Sequence, residues 1–460
     1  MDADVLVVGA GPAGLTAAAE LRRLGVPRVV VADRETAPGG IPRHCEHAGY
    51  GLRDLHRVLS GPAYARALAE AAARAGAQLR TGCTVTDLRA AGGPPGVGAG
   101  DGLPGDGDGD GDGARPGGVG LSCVLTSAAG IEEVRAAAVL LATGCRERPR
   151  AARLVPGDRP SGVLTTGELQ QRVYLAGEQL DGRALVVGAE HVSFSAALTL
   201  DHAGARVIAL VTDQPRHQSY AAFRLGAALR WHVPVWTSTA VTRVTGAAGR
   251  LASVNVARVP GPDGVPGVDG VDGGRTQTVP CEWLVFTGDW IPDHVLARTA
   301  GVALDGGTLG PAIDTTMATS TPGVFAAGNL VHAAETADVA ALSGRHAAQQ
   351  IASYLAVRPS AGSSAPAPVP VIADPPLRWI SPNAIAPGPG TGIGTVPPPL
   401  GRFAIRAAEF RERARLEARQ DGRLLATSRP LRLIPGRPVH LRASWLTRVD
   451  PAGGPVHVGP

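Results

Sequence analysis

Residues 4–14, with the sequence DVLVVGAGPAG, decide the fold of this 460-residue chain. They combine an apolar strand with a GxGxxG glycine pattern, and an alanine-rich helix follows as far as Gly25. The next apolar strand, at residues 29–31, leads to Asp33, which lies 19 residues after Gly14. This order of strand, glycine turn, helix and strand, with an acidic residue at that distance, predicts a Rossmann-type dinucleotide-binding unit.

Each glycine of this turn has its own physical role. Gly9 makes the tight turn, Gly11 lets the backbone approach a pyrophosphate, and Gly14 lets the helix pack closely on the strand. The N-terminus of the helix then faces the negative charge of the pyrophosphate. Asp33 is expected to accept hydrogen bonds from a ribose, and its charge would repel a 2′-phosphate.

A second, degenerate dinucleotide-like unit begins with the strand at residues 184–188. Its turn reads GAEHVS from Gly188, so only one of the three glycines is present. Glu190 places a side chain and a charge where a pyrophosphate would approach the backbone, and both effects disfavour binding. Asp213 could still hold a ribose, so an NAD(P)H site made by these three residues stays open as an alternative that Glu190 disfavours.

The composition argues against several classes of protein. All 44 basic residues are arginine, so Schiff-base chemistry and a phosphate-binding lysine are excluded. No basic run with interleaved aromatic residues suggests nucleic acid, and no stretch of about 18 apolar residues suggests a membrane span. Asp2 and Asp4 stand where a signal peptide carries positive charge, so a cytoplasmic location is expected.

The cysteine pattern bears on metal binding and on disulfides. The five cysteines are scattered, with no CxxC and no Cys/His cluster: Cys45, Cys83, Cys123, Cys145 and Cys281. This pattern predicts no disulfide framework, no metal site and no cysteine-ligated iron–sulfur cluster.

Four elements together resemble a known superfamily. They are the glycine turn with Asp33, the Gly39-Gly40 doublet, the strand end at residues 142–144, and TPGVFAAGN at residues 321–329. Over roughly residues 1–357 they are similar to the two-dinucleotide-binding-domain flavoproteins, the group that contains the pyridine-nucleotide disulfide reductases. The resemblance implies an α/β fold with two Rossmann-like domains, FAD in the first, and the second inserted within it.

The resemblance also implies a domain order, which the composition of the connecting segments completes. The FAD-binding domain is expected at residues 1–150 and 284–357, and the inserted NAD(P)-like domain at 151–283. Low-complexity composition predicts a disordered insertion at 92–120, a flexible loop at 260–274 and a linker at 358–376. Short β-patterned segments predict a small β-rich domain at 377–460.

The superfamily's FAD contacts carry over to positions that match its motifs. These are Gly9, Gly11, Pro12, Ala13, Gly14, Asp33, Arg34, Gly39, Gly40, Val85, Thr143, Gly144, Gly328, Asn329 and Thr336. Asn329 stands where the group has an acidic residue against the ribityl chain, and it can still hydrogen-bond a hydroxyl. The helix starting near Thr336 would point its positive end at the flavin and stabilise the reduced ring.

One departure from the disulfide reductases is decisive for the predicted reaction. Those enzymes carry a CxxxxC pair just beyond the glycine doublet, whereas this chain has GGIPRHCEH at residues 39–47, with Cys45 alone. A dithiol relay beside the flavin is therefore excluded by this sequence, and disulfide reduction is not expected.

Other segments resemble a narrower set of proteins. They include GGIPRHC at residues 39–45, TGCRERPR at 143–150 and AEHVSFS at 189–195. These are similar to the flavoprotein alpha subunits of heteromeric amine dehydrogenases and oxidases, which include the opine, proline and hydroxyproline enzymes and hydrogen cyanide synthase. The resemblance implies oxidation of a small amine or amino-acid-like substrate, or relay of its electrons, beside a second flavoprotein subunit.

The candidate catalytic residues are His44, Cys45 and His47, which the resemblance lays near the flavin ring. Either histidine could move a proton, and Cys45 could be a nucleophile or a packed thiol. The alternative is that all three only shape the pocket, because the flavin itself performs hydride chemistry. Two other functions stay open: a stand-alone NAD(P)H-dependent flavin reductase, and an assembly subunit with structural FAD that docks a partner.

Overall fold

The computed structural model describes residues 1–90, 120–220, 233–259, 276–333, 335–357, 367–387 and 396–460. The insertions predicted at 92–120 and 260–274 lie outside the described residues, apart from position 120. Among the residues described, no helix is long and apolar enough to cross a membrane.

The N-terminal part forms the first Rossmann-like sheet, whose strands run in the order β5-β2-β1-β8-β7-β6. Strands β5, β2, β1 and β8 are parallel neighbours, and β8-β7-β6 form an antiparallel extension. The elements of this part are β1 (Asp2–Val8), α1 (Pro12–Arg23), β2 (Val29–Ala32), β3 (Ala48–Tyr50), β4 (Leu59–Ser60), α2 (Gly61–Arg74), β5 (Gln78–Arg80), β6 (Cys83–Ala90), β7 (Leu121–Ser127), β8 (Gly130–Leu141) and β9 (Cys145–Glu147).

The inserted part forms a second parallel sheet in the order β10-β17-β11-β12-β13, with an antiparallel layer β14-β15-β16. Its elements are β10 (Val163–Thr165), α3 (Thr166–Gln170), β11 (Arg183–Val187), α4 (His191–Ala203), β12 (Arg206–Val211), β13 (Val235–Trp236), β14 (Thr239–Ala247), β15 (Arg250–Arg258), β16 (Gln277–Pro280) and β17 (Trp283–Phe286). Because β17 pairs with β11 and β10, the second sheet runs to Phe286, three residues beyond the predicted end of the inserted domain at residue 283.

The chain returns to the first sheet through β18 (Trp290–Pro292), which pairs with β9 in a two-stranded ribbon between the domains. Helix α5 (Val295–Thr299) follows, then β19 (Val324–Ala326), which is parallel to β8. Helix α6 (Ala337–Val357) completes this domain by packing on α1.

The C-terminal part is rich in strands and has a hydrophobic core of its own. Its strands form sheets in the orders β22-β20-β29-β25-β26, β21-β23-β28 and β24-β27. They are β20 (Val369–Ala373), β21 (Leu377–Ser381), β22 (Ala384–Ile385), β23 (Arg402–Ala407), β24 (Arg411–Ala414), β25 (Glu417–Gln420), β26 (Arg423–Thr427), β27 (Leu431–Leu433), β28 (Val439–Arg442) and β29 (Val456–Gly459).

The predicted fold class is confirmed, and one further boundary is corrected. Strand β20 lies within residues 358–376, which proline and serine content predicted as linker. Buried Val369 and Val371 alternate with exposed positions, so this run is a half-buried strand despite its prolines. Pro370 lies beside the two-residue strand β22, near the edge of the sheet, where proline is tolerated.

Helices α1 and α6 approach so closely that only glycine fits at their contact. A Cβ atom added to Gly344 would lie 2.1 Å from the backbone oxygen of Ala13. The backbone of α6 therefore rests directly on the first turn of α1.

We expect Gly344→Ala to lower the free energy of unfolding by about 1–3 kcal/mol, because the added methyl group pushes the two helices apart. The measurement is urea denaturation, with Gly306→Ala as the control. Gly306 is exposed, and an added Cβ there meets no atom within 4 Å. Stabilisation by Gly344→Ala, as its higher helix propensity alone would give, would contradict the close contact.

Candidate functional site

The first glycine turn presents an open backbone face at the start of α1. A Cβ atom on Gly9 would lie 2.4 Å from the oxygen of Ala142, so this residue packs tightly against the chain beyond β8. A Cβ atom on Gly11 would meet nothing within 4 Å, and its φ of −79° is open to any residue. The free space at Gly11 is where a pyrophosphate would lie.

The chemistry of this turn fits an anion. Pro12 begins α1 and has no N–H, and the N–H groups of Ala13 and Gly14 have no acceptor within the helix. The first turn of α1 contains no acidic residue to occupy this positive end. A dinucleotide pyrophosphate therefore fits the residues present.

Asp33 lies beside the turn at the end of β2. Its carboxylate accepts hydrogen bonds from the backbone N–H of Ala10 at 2.5 Å and of Glu35 at 2.8 Å. Since a carboxylate has about four acceptor positions, it retains capacity for a ribose hydroxyl. Arg34, next in the chain, is exposed and pairs with Asp293 at 3.3 Å.

The glycine doublet covers the same turn from the other side. Gly40 has a φ of +62°, and a Cβ atom there would lie 2.9 Å from the Cα of Gly11. The backbone N–H of Gly39 donates to the oxygen of Ala10 at 2.8 Å. The structure thus brings these predicted cofactor residues together around one space.

Three other predicted contact residues lie at the margins of this space. Thr143 donates its hydroxyl to the oxygen of Asp293 at 2.8 Å, and the N–H of Asp293 donates to the oxygen of Gly144 at 2.9 Å. Val85 is buried in β6, which starts beside Asp33 because the N–H of Cys83 donates to the oxygen of Asp33.

The segment after β19 meets the first turn of α1. A Cβ atom on Gly328 would lie 2.8 Å from the Cβ of Ala13. The side-chain amide of Asn329 exchanges two hydrogen bonds with the backbone of Glu335, at 3.1 and 3.2 Å, and so closes the loop that leads to α6. One amide hydrogen of Asn329 is left over, so a contact with a ribityl hydroxyl remains a prediction.

The start of α6 carries a charge pair that sequence reasoning missed. Asp338, which is 4% exposed, lies in the first turn and accepts hydrogen bonds from Thr336 and from Arg53 at 2.9 Å. The acidic side chain offsets the positive helix end that was expected to face the flavin, and Arg53 restores a positive charge there. The Thr-x-Asp spacing at the helix start was a signal for the acid, whereas nothing local pointed to Arg53.

The predicted catalytic segment lies against α3 of the inserted domain. Cys45 is buried and donates its thiol to Oε1 of Gln170 at 3.2 Å. Burial raises the pKa of the Cys45 thiol to about 11, and burial together with the charge of Arg43 lowers the pKa of His44 to about 4. At neutral pH the thiol is protonated and the imidazole is neutral, so Cys45 is not an activated nucleophile.

His47 lies apart from this buried pair. Its ring stacks on Tyr50 with the centroids 5.2 Å apart, and Nδ1 lies 3.1 Å from the oxygen of Ala48. These contacts hold its side chain at the partly exposed margin of the segment.

A buried carboxyl group near Cys45 was also missed. Glu147 lies in the β9 ribbon with 7% of its surface exposed, and burial raises its pKa to about 7. One oxygen accepts from the N–H of Gly167 at 2.9 Å, and the other has no hydrogen-bond partner in the part of the chain that the structure describes. A carboxyl group that titrates near neutral pH can give or take a proton.

The second glycine turn is filled by its own side chain. Oε2 of Glu190 accepts from the N–H of Ala189 at 3.0 Å, and Oε1 accepts from the hydroxyl of Thr287 at 2.6 Å. Glu190 is the N-cap residue of α4, but its carboxylate lies against Gly188 and Gly288 and makes no capping hydrogen bond to the first turn of the helix. Asp213 is exposed beyond β12, and Gly188 has the φ of +137° that its turn requires.

Two family models match the chain. The model described as "Pyridine nucleotide-disulphide oxidoreductase" matches residues 119–344, and the model described as "FAD binding domain" matches residues 2–43. The FAD-binding model covers the first glycine turn, Asp33 and the glycine doublet. The pyridine-nucleotide model covers the inserted domain and the segment at 328–340.

Three individual proteins show the same relationship. An opine oxidase subunit of Agrobacterium tumefaciens (strain Ach5) is 31% identical over 205 residues, which are 44% of this chain and 35% of that relative. This chain thus spans about a third of the length of that curated relative. Thioredoxin reductase of T. acidophilum has a TM-score of 0.58 at 19% identity, over 76% of this chain and 98% of that one. L-proline dehydrogenase of P. horikoshii has a TM-score of 0.50 at 15% identity, over 77% and 56%.

Fold, glycine turn and family matches agree on the class of protein, which is an FAD-binding oxidoreductase with a Rossmann-type fold. The chain is similar, over residues 2–43 and 119–344, to the two-dinucleotide-binding-domain flavoproteins of the pyridine-nucleotide disulfide reductase type.

We expect Gly11→Val to remove FAD without weakening the apoprotein. The side chain enters empty space and suits the backbone conformation, but it occupies the proposed pyrophosphate position. Flavin content per chain should fall at least about tenfold, while the free energy of unfolding of the apoprotein changes by less than about 0.5 kcal/mol.

Gly306→Val, at an exposed site with no neighbouring atom within 4 Å, should keep the flavin content of the wild type. Full flavin content in the Gly11 variant would contradict the assigned site.

Proposed function

We propose that the chain is an FAD-dependent oxidoreductase that oxidises a small amine or amino-acid-like substrate, or relays its electrons within a heteromeric dehydrogenase. The observation that carries this proposal is the occupied second glycine turn. The Glu190 carboxylate, held by the N–H of Ala189 and the hydroxyl of Thr287, places a side chain and a negative charge at the turn that a nucleotide phosphate would approach, so electrons are not expected to enter from NAD(P)H.

The proposal excludes disulfide reduction on two grounds. The segment after the Gly39-Gly40 doublet has Cys45 as its only cysteine, and a dithiol pair needs two. The thiol of Cys45 is buried, and its raised pKa of about 11 keeps it protonated at neutral pH. A chain of this fold without a reactive thiol pair at the flavin is suited to direct oxidation of a substrate.

The chain's own groups have distinct parts in such a reaction. The first glycine turn, Asp33 and the segment at 328–340 would hold FAD, which when bound accepts a hydride from carbon. An amine must lose its proton before its α-carbon can give up a hydride, so a proton acceptor is needed nearby. Glu147 suits this role, because its pKa of about 7 lets it take a proton at neutral pH. His44, with a pKa of about 4, is the poorer base.

Similarity to a protein named as one subunit of an opine oxidase supports a partner for this chain. The proposed partner is a second flavoprotein subunit that shares the electron pathway. A cytoplasmic location is part of the same proposal, because Cys45, Cys83, Cys123 and Cys281 are buried free thiols, as is usual in a reducing compartment.

One observation favours an alternative function, a stand-alone NAD(P)H-dependent flavin reductase. The exposed carboxylate of Asp213 lies beyond the second strand of the inserted domain, where it could bind a ribose.

The proposal predicts which donors reduce the flavin. In an anaerobic titration of the flavin-loaded chain, a small amine or amino acid should bleach the flavin, directly or after addition of the proposed partner subunit. NADH and NADPH should not. Rapid stoichiometric bleaching by either nicotinamide, with none by any amine, would reject the proposal in favour of the reductase.

A further inference from the structure

The sheet β21-β23-β28 has one apolar face and one polar face. Phe403 and Ile405 of β23 are fully buried in the core of the C-terminal domain. Alternate residues of a strand point to opposite faces, so Arg402 and Arg406 lie on the other side. The cross-strand register adds further side chains to this polar face: Trp379, Ser381, His440 and Arg442.

Part of this polar face is covered by the FAD domain. Arg406 pairs with Glu335 at 3.2 Å, and their side chains are only 6% and 5% exposed. The ring of His332 lies 5.1 Å from that of Trp379, between centroids. Glu335 and His332 belong to the loop between β19 and α6, which Asn329 closes, so the sheet rests on a part of the candidate FAD site.

A small, partly open cavity lies in this interface. The FAD domain lines it with Gly328, Asn329 and Ser343, and the C-terminal domain lines it with Ser381, Arg402 and His440. The cavity therefore lies between the segment of Gly328 and Asn329, which is a candidate FAD contact, and the polar face of the sheet.

The charges around the cavity favour an anion. Arg402 and Glu335 both line the cavity, and the Glu335 carboxylate is paired with a further arginine, Arg406. Burial and the neighbouring arginines lower the pKa of His332 to about 3 and of His440 to about 4, so both rings are neutral at pH 7. Nε of Arg402 is buried without a hydrogen-bond acceptor among the described residues. A guanidinium nitrogen in this state is stabilised by a bound anion.

We propose that this cavity binds a carboxylate group of the substrate, with Arg402 as the recognising cation and the C-terminal domain as the wall that completes the site. This inference rests on the proposed oxidation of an amino-acid-like substrate and narrows it to amines that carry a carboxylate. A phosphate group of FAD has similar chemistry, so the experiment has to distinguish the two sources.

The test compares benzoate with benzamide, which have the same shape and differ in charge. Each is titrated into the flavin-loaded chain, and binding is followed by flavin absorbance and tryptophan fluorescence. Arg402→Gln should weaken benzoate binding at least about tenfold, as expected when one hydrogen bond to a charged group is lost. Arg423→Gln is the matched control, because Arg423 is an exposed arginine on β26, in another sheet of the same domain. It should bind benzoate as the wild type does.

Three outcomes would overturn the proposal: equal benzoate affinity in Arg402→Gln and wild type, benzamide binding as tight as that of benzoate, or loss of FAD from a folded Arg402→Gln protein. The last would assign the anion to the cofactor. If the Arg402→Gln variant does not fold, Arg402→Lys is tested instead. Lysine keeps the positive charge but lacks the planar guanidinium group, so benzoate binding should still weaken. Unchanged benzoate affinity in Arg402→Lys would reject the site.

Failure of this proposal is distinguishable from failure of the proposed function. Benzoate binding that depends on Arg402, in a protein that no amine reduces, supports the anion site and rejects amine oxidation. Reduction by an amine with equal efficiency in wild type and Arg402→Gln supports amine oxidation and rejects the site.

Discussion

The contact between α1 and α6 around Ala13 determines where each part of the candidate FAD site lies. Gly344 and Gly328 both approach Ala13 so closely that an added Cβ atom would overlap it, at 2.1 and 2.8 Å. This contact holds the first glycine turn against the loop that Asn329 closes. The C-terminal domain rests on the same loop through Glu335 and Arg406, so its position also depends on the helix contact.

The two glycine turns of the chain have similar folds, and one side chain, that of Glu190, makes the second less suited to a nucleotide phosphate than the first. The first turn ends in an open helix N-terminus with no acidic residue in its first turn. In the second, Glu190 places a carboxylate from within the chain at the turn, where it accepts from the N–H of Ala189 and the hydroxyl of Thr287. The inserted domain also holds α3 against Cys45.

Local steric rules made part of this site predictable. The spacing from Gly9 to Asp33 predicts a turn whose backbone a phosphate can approach. The side chain of Glu190 predicts that a phosphate is hindered at the second turn. The remaining features depend on contacts between distant parts of the chain: Arg53 with Asp338, Glu147 near Cys45, and Arg406 with Glu335. The alternation of Arg402 and Arg406 with apolar residues is visible in the sequence, but only the folded chain shows what covers their face.

The most direct test of this account is calorimetric titration of the flavin-loaded chain with NADH and NADPH, in the wild type and in Glu190→Gly. We expect no binding heat with the wild type, because the side chain and charge of Glu190 oppose the approach of a phosphate to this turn, and measurable binding after its removal. Binding of either nucleotide to the wild type, unchanged in the Glu190 variant, would contradict the assignment of one working nucleotide site to this chain.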